Sequence, residues 1–207
     1  AASMTPDPRM AGLPADIIAC VHAGARALRD GHPQHAEALL LDACRRAPDH
    51  PEPMRYLGIL QLQTRRPLQA LETFRQALLL QPDDAQLHSD LGTALAAIGE
   101  PAAAMQAWRH ATQLDPGLAM AWFNLGRNFQ QTGETEAAIA ALEHGVRLMP
   151  QVLPPKLLLG DALTHAGRFA EATAHYRAAL QLHPACGDAW RGLSNIKTVA
   201  LDDADAA

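Results

Sequence analysis

Between residues 119 and 152 the apolar positions fall into two stripes separated by a break. Trp122, Leu125, Gly126 and Phe129 are spaced i, i+3, i+4, i+7, which puts them along one face of a helix. Ala138, Leu142 and Gly145 make the same kind of stripe on a second helix. Gly133, between them, can take the left-handed conformation that ends a helix, and Pro150 cannot continue one. The pattern predicts a helical hairpin.

The same pattern returns along the chain with a period of 34 residues. Gly24, Gly58, Gly92, Gly126 and Gly160 hold it, followed by Ser194. So do the alanines 36, 70, 104, 138 and 172, and the prolines 48, 82, 116, 150 and 184. The register places five copies at 17–50, 51–84, 85–118, 119–152 and 153–186, with no insertion or deletion. One hairpin cannot bury its own apolar face, so the copies are expected to stack. A sixth unit opens with Trp190 and Leu193, and a helix over 187–200 is expected to cap the fifth hairpin.

Close approach of two helices explains the small residues. Gly126 is expected to face Ala138 where the helices cross, and a branched side chain there would cost ~1–3 kcal/mol. Leu40, Phe74, Trp108, Leu142 and Tyr176 are expected to fill the wedges between hairpins, with Trp108 and Trp122 both buried. The second copy turns on Arg65-Arg66-Pro67 where the others use glycine. Residues 1–16 carry three prolines and no periodicity, so a flexible leader is expected there. Ala1-Ala2-Ser3 reads as a vector scar ahead of a native Met4, and residues 201–207 as a frayed acidic tail.

The spacing resembles the tetratricopeptide repeat, whose pattern is a large residue, Leu-Gly, an aromatic, Ala and a closing Pro. The copy at 119–152 matches with Trp122, Leu125-Gly126, Phe129, Ala138 and Pro150. The resemblance covers residues 17 to about 200. It implies an all-α fold, a right-handed superhelical solenoid of five hairpins with a C-terminal capping helix. It also implies a concave groove, lined by the first helix of each hairpin, that binds a protein or peptide. The first large position departs from the pattern, with Cys20, Met54, His88 and Lys156 in the other copies.

By that resemblance the second, fifth, ninth, twelfth and thirteenth residues of each copy point into the groove. The candidate ligand residues are Arg55, Gln86, Ser89, Phe123, Arg127, Gln130, Gln131, Asp161, His165, Arg191 and Asn195, with Asn124 from the sixth position. Phe123, Arg127, Gln130 and Gln131 stand out, since an aromatic beside a forked cation and two amides can hold a backbone or a carboxylate. Two specialisations of the family are not supported. Fifth and ninth positions read Arg55/Ile59, Ser89/Thr93, Phe123/Arg127 and Leu157/Asp161, without the lysine and asparagine clamp of chaperone-tail binders. The asparagine ladder of glycosyltransferase-linked arrays is reduced to Asn124.

Composition narrows the reading. A formal charge of −5 argues against nucleic acid, for which a basic stripe is expected. No apolar run approaches the roughly 20 residues that cross a bilayer, so no membrane partner and a cytoplasmic location are expected. Cys20, Cys44 and Cys186 sit in unlike contexts without a CxxC and read as packing residues. The histidine pairs His32/His35 and His110/His144 lack carboxylate or cysteine companions, and a metal needs three or four converging donors. They read as solvent-facing, and no cofactor, metal or catalytic constellation is expected.

Two further readings remain open. Residues 188–198 resemble the junction in bacterial proteins where such repeats precede a sulfotransferase domain, which would make the chain a non-catalytic substrate- or partner-binding arm. A homo-oligomer could form through exposed Ile17, Ile18, Val21 and Leu28 on the first hairpin.

Overall fold

The computed structural model describes residues 7–205, with side chains as far as Ile196. Among the described residues there are eleven α-helices, one short 3-10 turn and no strand. The chain divides into two compact units after Leu114.

The first unit holds the 3-10 turn at Pro8–Met10 and helices α1 (Ala15–Arg29), α2 (Pro33–Arg46), α3 (Pro51–Gln63), α4 (Pro67–Leu80), α5 (Ala85–Ala97) and α6 (Pro101–Leu114). They pair as α1/α2, α3/α4 and α5/α6, and each pair packs on the next through α2 with α3 and α4 with α5. The second unit holds α7 (Ala119–Thr132), α8 (Thr135–Leu148), α9 (Leu153–His165), α10 (Phe169–Leu182) and α11 (Gly187–Asp205). Here α7/α8 and α9/α10 are the pairs, and α11 packs on both α10 and α9.

Local chemistry sets the ends of these helices. Prolines 33, 51, 67 and 101 each open a helix at its first residue, where the missing N–H has no partner to lose. The turns inside four pairs take positive φ at Gly31, Gly99, Gly133 and Gly167. Arg65 takes that conformation in the α3/α4 turn, at φ 60°.

The glycine column works differently from the expectation. A Cβ on Gly126 would lie 2.4 Å from Leu142 Cγ, and its three nearest atoms all belong to Leu142, not to Ala138. The bulky column therefore packs into the notch left by the glycine of its own hairpin. Tyr176 does so twice, since a Cβ on either Gly160 or Gly192 would fall inside contact distance of its ring.

The two tryptophans also part company. Trp108 is 1% exposed, and its Nε1 donates to the Ser89 carbonyl at 3.0 Å. Trp122 is only half-buried, stacked on His144 with ring centroids 4.4 Å apart.

Residues 7–16 are not a loose leader. Asp7 caps the 3-10 turn by accepting the Arg9 N–H, and Met10 is buried in a cluster with Ile17, Val21 and Leu40. Ile17 and Val21, expected on the surface as a self-assembly patch, are accordingly 3% and 0% exposed. At the other end α11 continues to Asp205, past the boundary expected at 200. The scar and the last two residues of the acidic tail lie outside the described residues.

Candidate functional site

Two polar sites emerge, one in each unit, and they differ in what they leave free. In the first unit, Glu52 near the start of α3 is 1% exposed. A carboxylate so deeply covered is tolerated only when paired and hydrogen-bonded. Arg55, one turn along α3, donates from Nε to Glu52 Oε1 at 2.8 Å. Arg9 donates from Nε to Glu52 Oε2 at 3.1 Å, and its Nη2 reaches Asp84 at 2.7 Å. Asp84 in turn caps α5 by accepting the Leu87 N–H.

The network continues onto α5. Arg55 Nη1 lies 3.3 Å from Asp90 Oδ2, and Gln86 Nε2 donates to Asp90 Oδ1 at 3.0 Å. Burial alone would lower the Arg55 pKa, but the hydrogen bond and charge of Glu52, with Asp90, hold it above its ordinary value. Burial raises the Asp90 carboxyl more than Arg55 and Gln86 lower it. Arg55 and Gln86, expected to meet a ligand, are thus engaged inside the protein. Ser89 is buried beneath Trp108.

In the second unit the first helices α7, α9 and α11 lie side by side. Between them is a cavity of about 620 Å³. Pro154, Leu157 and Leu158 of α9 form an apolar wall, and Asp161, Thr164 and His165 continue the same helix as a polar one. Gln130 closes the α7 side, while Asp188, Arg191 and Asn195 line it from α11. The back is the Tyr176 ring, reached because residue 192 is glycine.

Polar contacts at this site are few. The Tyr176 hydroxyl donates to Asp161 Oδ1 at 2.6 Å, and Arg191 pairs with Asp188 at 3.0 Å. Burial first, and then the bond to Asp161, push the Tyr176 phenol up to about 12. Five of the expected residues meet at this cavity: Gln130, Asp161, His165, Arg191 and Asn195.

The remaining expected residues lie beside it on α7. Arg127 and Gln131 are exposed, and the Arg127 guanidinium stands 5.9 Å from the centroid of the half-buried Phe123 ring. Asn124 is buried and accepts from Arg127 Nη2 at 3.5 Å.

Sequence reasoning missed the roles of Glu52, Asp84 and Arg9, and of Tyr176 and Gly192. Gly192 carried a readable signal, because its column reads His22, Tyr56, Asp90, Asn124 and Leu158 in the other copies. Arg9 carried none, since it precedes the first copy.

The histidines singled out by repeat position pair with first-helix residues and not with each other. His110 meets His88 edge-on with centroids 4.4 Å apart, and His144 covers Trp122. Among the described residues no group of three or more His, Cys, Asp or Glu is arranged to hold a metal. No described helix is long and apolar enough to cross a membrane.

Models of the tetratricopeptide repeat match residues 23–85, 57–119, 119–151 and 154–196. No curated protein sequence matches the chain. Among solved structures it is similar to MamA, at 25% identity and TM-score 0.66, over 78% of this chain and 94% of that one. It is also similar to a thermophilic tetratricopeptide repeat protein of Thermus thermophilus, at 21% identity and TM-score 0.70, over 88% and 99% of the two chains. The pilF protein of Pseudomonas aeruginosa aligns at 21% identity and TM-score 0.81, over 90% of this chain and 85% of its own. These likenesses give the fold class, an all-α solenoid of helical repeats.

Proposed function

The chain belongs to the tetratricopeptide repeat family, and from that premise we propose that it is a scaffold binding an extended protein segment along α7, α9 and α11. Repeats of this family mediate protein–protein interactions and are typically non-catalytic. The observation that carries the reading is the cavity of about 620 Å³ between these three helices. Its size falls within the range of about 300–1,000 Å³ typical of ligand pockets, and it mixes an apolar wall with polar groups that can meet a peptide backbone. Phe123 and Arg127 extend the same face along α7. The first unit contributes less, because Arg55, Gln86 and Ser89 are already occupied there.

The test is to pan a random peptide library against the protein and map bound peptides by amide hydrogen exchange. Protection of α7, α9 and α11, with binding weakened by Arg127→Ala and Phe123→Ala at little change in melting temperature, is expected. Protection confined to α8 and α10, or full binding by both variants, would discard this face.

A second reading, the partner-binding arm of a longer sulfotransferase, draws on residues 188–198 and on Trp190. Trp190 donates from Nε1 to the Pro184 carbonyl as Trp122 does to that of Pro116, yet it is 58% exposed where Trp122 is covered by His144. An uncovered ring in that setting suits a further packed element. Sulfate transfer by the product of the whole gene tests it, and a gene that encodes no such domain eliminates it.

A further inference from the structure

Gly192 opens the cavity. Every other copy carries a side chain at this position, and a Cβ on Gly192 would lie 2.4 Å from Tyr176 Cζ. The tyrosine therefore fills the space where a side chain would stand, and its hydroxyl fixes one oxygen of Asp161. The other Asp161 oxygen has no hydrogen bond or ion pair among the described residues. Arg191, the cation of the cavity, is already paired with Asp188.

Among the Asp and Arg side chains that line the cavity, Asp161 is thus the one left without a counter-charge. An anion entering would meet that carboxylate without a free cation to receive it. An uncharged apolar group would strip water from Asp161 and give nothing back, which is unfavourable for a carboxylate. A cation on a flexible aliphatic stem satisfies both halves of the site: its methylenes lie along Leu157 and Leu158, and its head reaches Asp161. The ninth position, where Asp161 stands, reads Ala25, Ile59, Thr93, Arg127 and Asn195 elsewhere, so no other unit repeats this arrangement.

We propose that the cavity between α9 and α11 receives a lysine or arginine side chain of the bound segment, with Asp161 as its counter-charge. This rests on the segment-binding reading above and adds the chemistry of the partner. A free polyamine offers the same chemistry, so the test separates the two.

Peptides recovered by panning are resynthesised with each basic residue replaced in turn by norleucine, which keeps a stem and removes the charge. Affinities are measured by calorimetry for the wild-type protein and for Asp161→Asn. One replacement is expected to weaken wild-type binding by tenfold or more. Asp161→Asn is expected to lose a similar factor and to be indifferent to that replacement. Wild-type affinity is also expected to fall as sodium chloride rises from 50 to 500 mM, a measurement that needs no variant.

Peptides without a basic residue, or a replacement that weakens both proteins equally, would overturn the proposal and leave segment binding standing. Spermidine that occupies Asp161 more tightly than any peptide would also overturn it, assigning the site to a free amine. Absence of any peptide on α7, α9 and α11 would remove both readings together.

Discussion

Gly58 of α3 faces the Phe74 ring of α4 so closely that a Cβ on it would stand 2.4 Å from Cε1. Phe74 is fully buried, so the ring has nowhere to retreat. Gly58→Ala is expected to destabilise the protein by about 1–3 kcal/mol through overpacking, even though alanine favours a helix by about 1 kcal/mol over glycine. In a Phe74→Ala background the clash is gone and only the helix preference remains. The same substitution should then be neutral or stabilising. Urea unfolding of the four proteins in this cycle decides the matter, and additive losses would show that the two residues do not share one space.

The α3/α4 turn suggests a substitution of the opposite sign. Arg65 sits at φ 60°, where residues with a Cβ are strained by roughly 1–2 kcal/mol. Glycine occupies the corresponding turn in the other four pairs. Part of the gain is offset by the greater freedom of glycine in the unfolded chain. Arg65→Gly is expected to stabilise by about 0.5–1 kcal/mol, read as a rise in the urea midpoint at constant slope. A fall in the midpoint would mean that the Arg65 side chain contributes more than its backbone loses.

These two positions show what was readable beforehand. Period, hairpin boundaries and the Arg65 turn are local properties, carried by residues a few positions apart, and they stand out from one sequence. The partner of Gly126 was misassigned to Ala138 because periodicity reports which face a residue is on, not which residue crosses it. Trp108 and Trp122 hold different columns of the repeat and both lie on an apolar stripe, which does not report that one is covered and the other only half-buried. Ser89 at a groove position and Asn124 at the sixth position were both offered to a ligand as polar residues, yet both are covered. The Arg9–Glu52 contact joins residues 43 apart across unlike segments, and no spacing rule reaches it.

The covered network of the first unit predicts that Arg55 is a structural residue. Its side chain is 12% exposed and it holds Glu52 and Asp90 together. Removing one partner of a buried ion pair leaves the other charge stranded, at a cost of about 3–5 kcal/mol. Arg55→Ala is expected to fall near the lower end of that range. Arg9→Ala, whose side chain is 29% exposed, should cost less, on the order of 1–2 kcal/mol once solvent screening is allowed for. Neither should alter peptides bound on α7, α9 and α11. Thermal unfolding and calorimetry together test this, and an Arg55→Ala protein of wild-type stability would refute the structural role.

Tyrosine titration examines the back wall of the cavity without any ligand. The chain has two tyrosines, so absorbance at 295 nm resolves them. Burial, helped by the bond to Asp161, pushes the Tyr176 phenol up to about 12 from an unfolded value of 10. A group that holds its proton more tightly in the folded state contributes in full below the unfolded value and loses that contribution as pH rises through the folded value. That contribution is therefore complete under pH 10 and disappears as pH climbs through about 12. At pH 11 the folded protein should show a smaller absorbance rise than appears on adding guanidinium, because burial raises the Tyr56 phenol as well as that of Tyr176. Tyr176→Phe should abolish the late step. Asp161→Asn should bring it only part of the way down, since burial is the larger cause and persists. A late step that vanishes entirely in Asp161→Asn would mean that the carboxylate, and not the packing around Gly160 and Gly192, governs the ring.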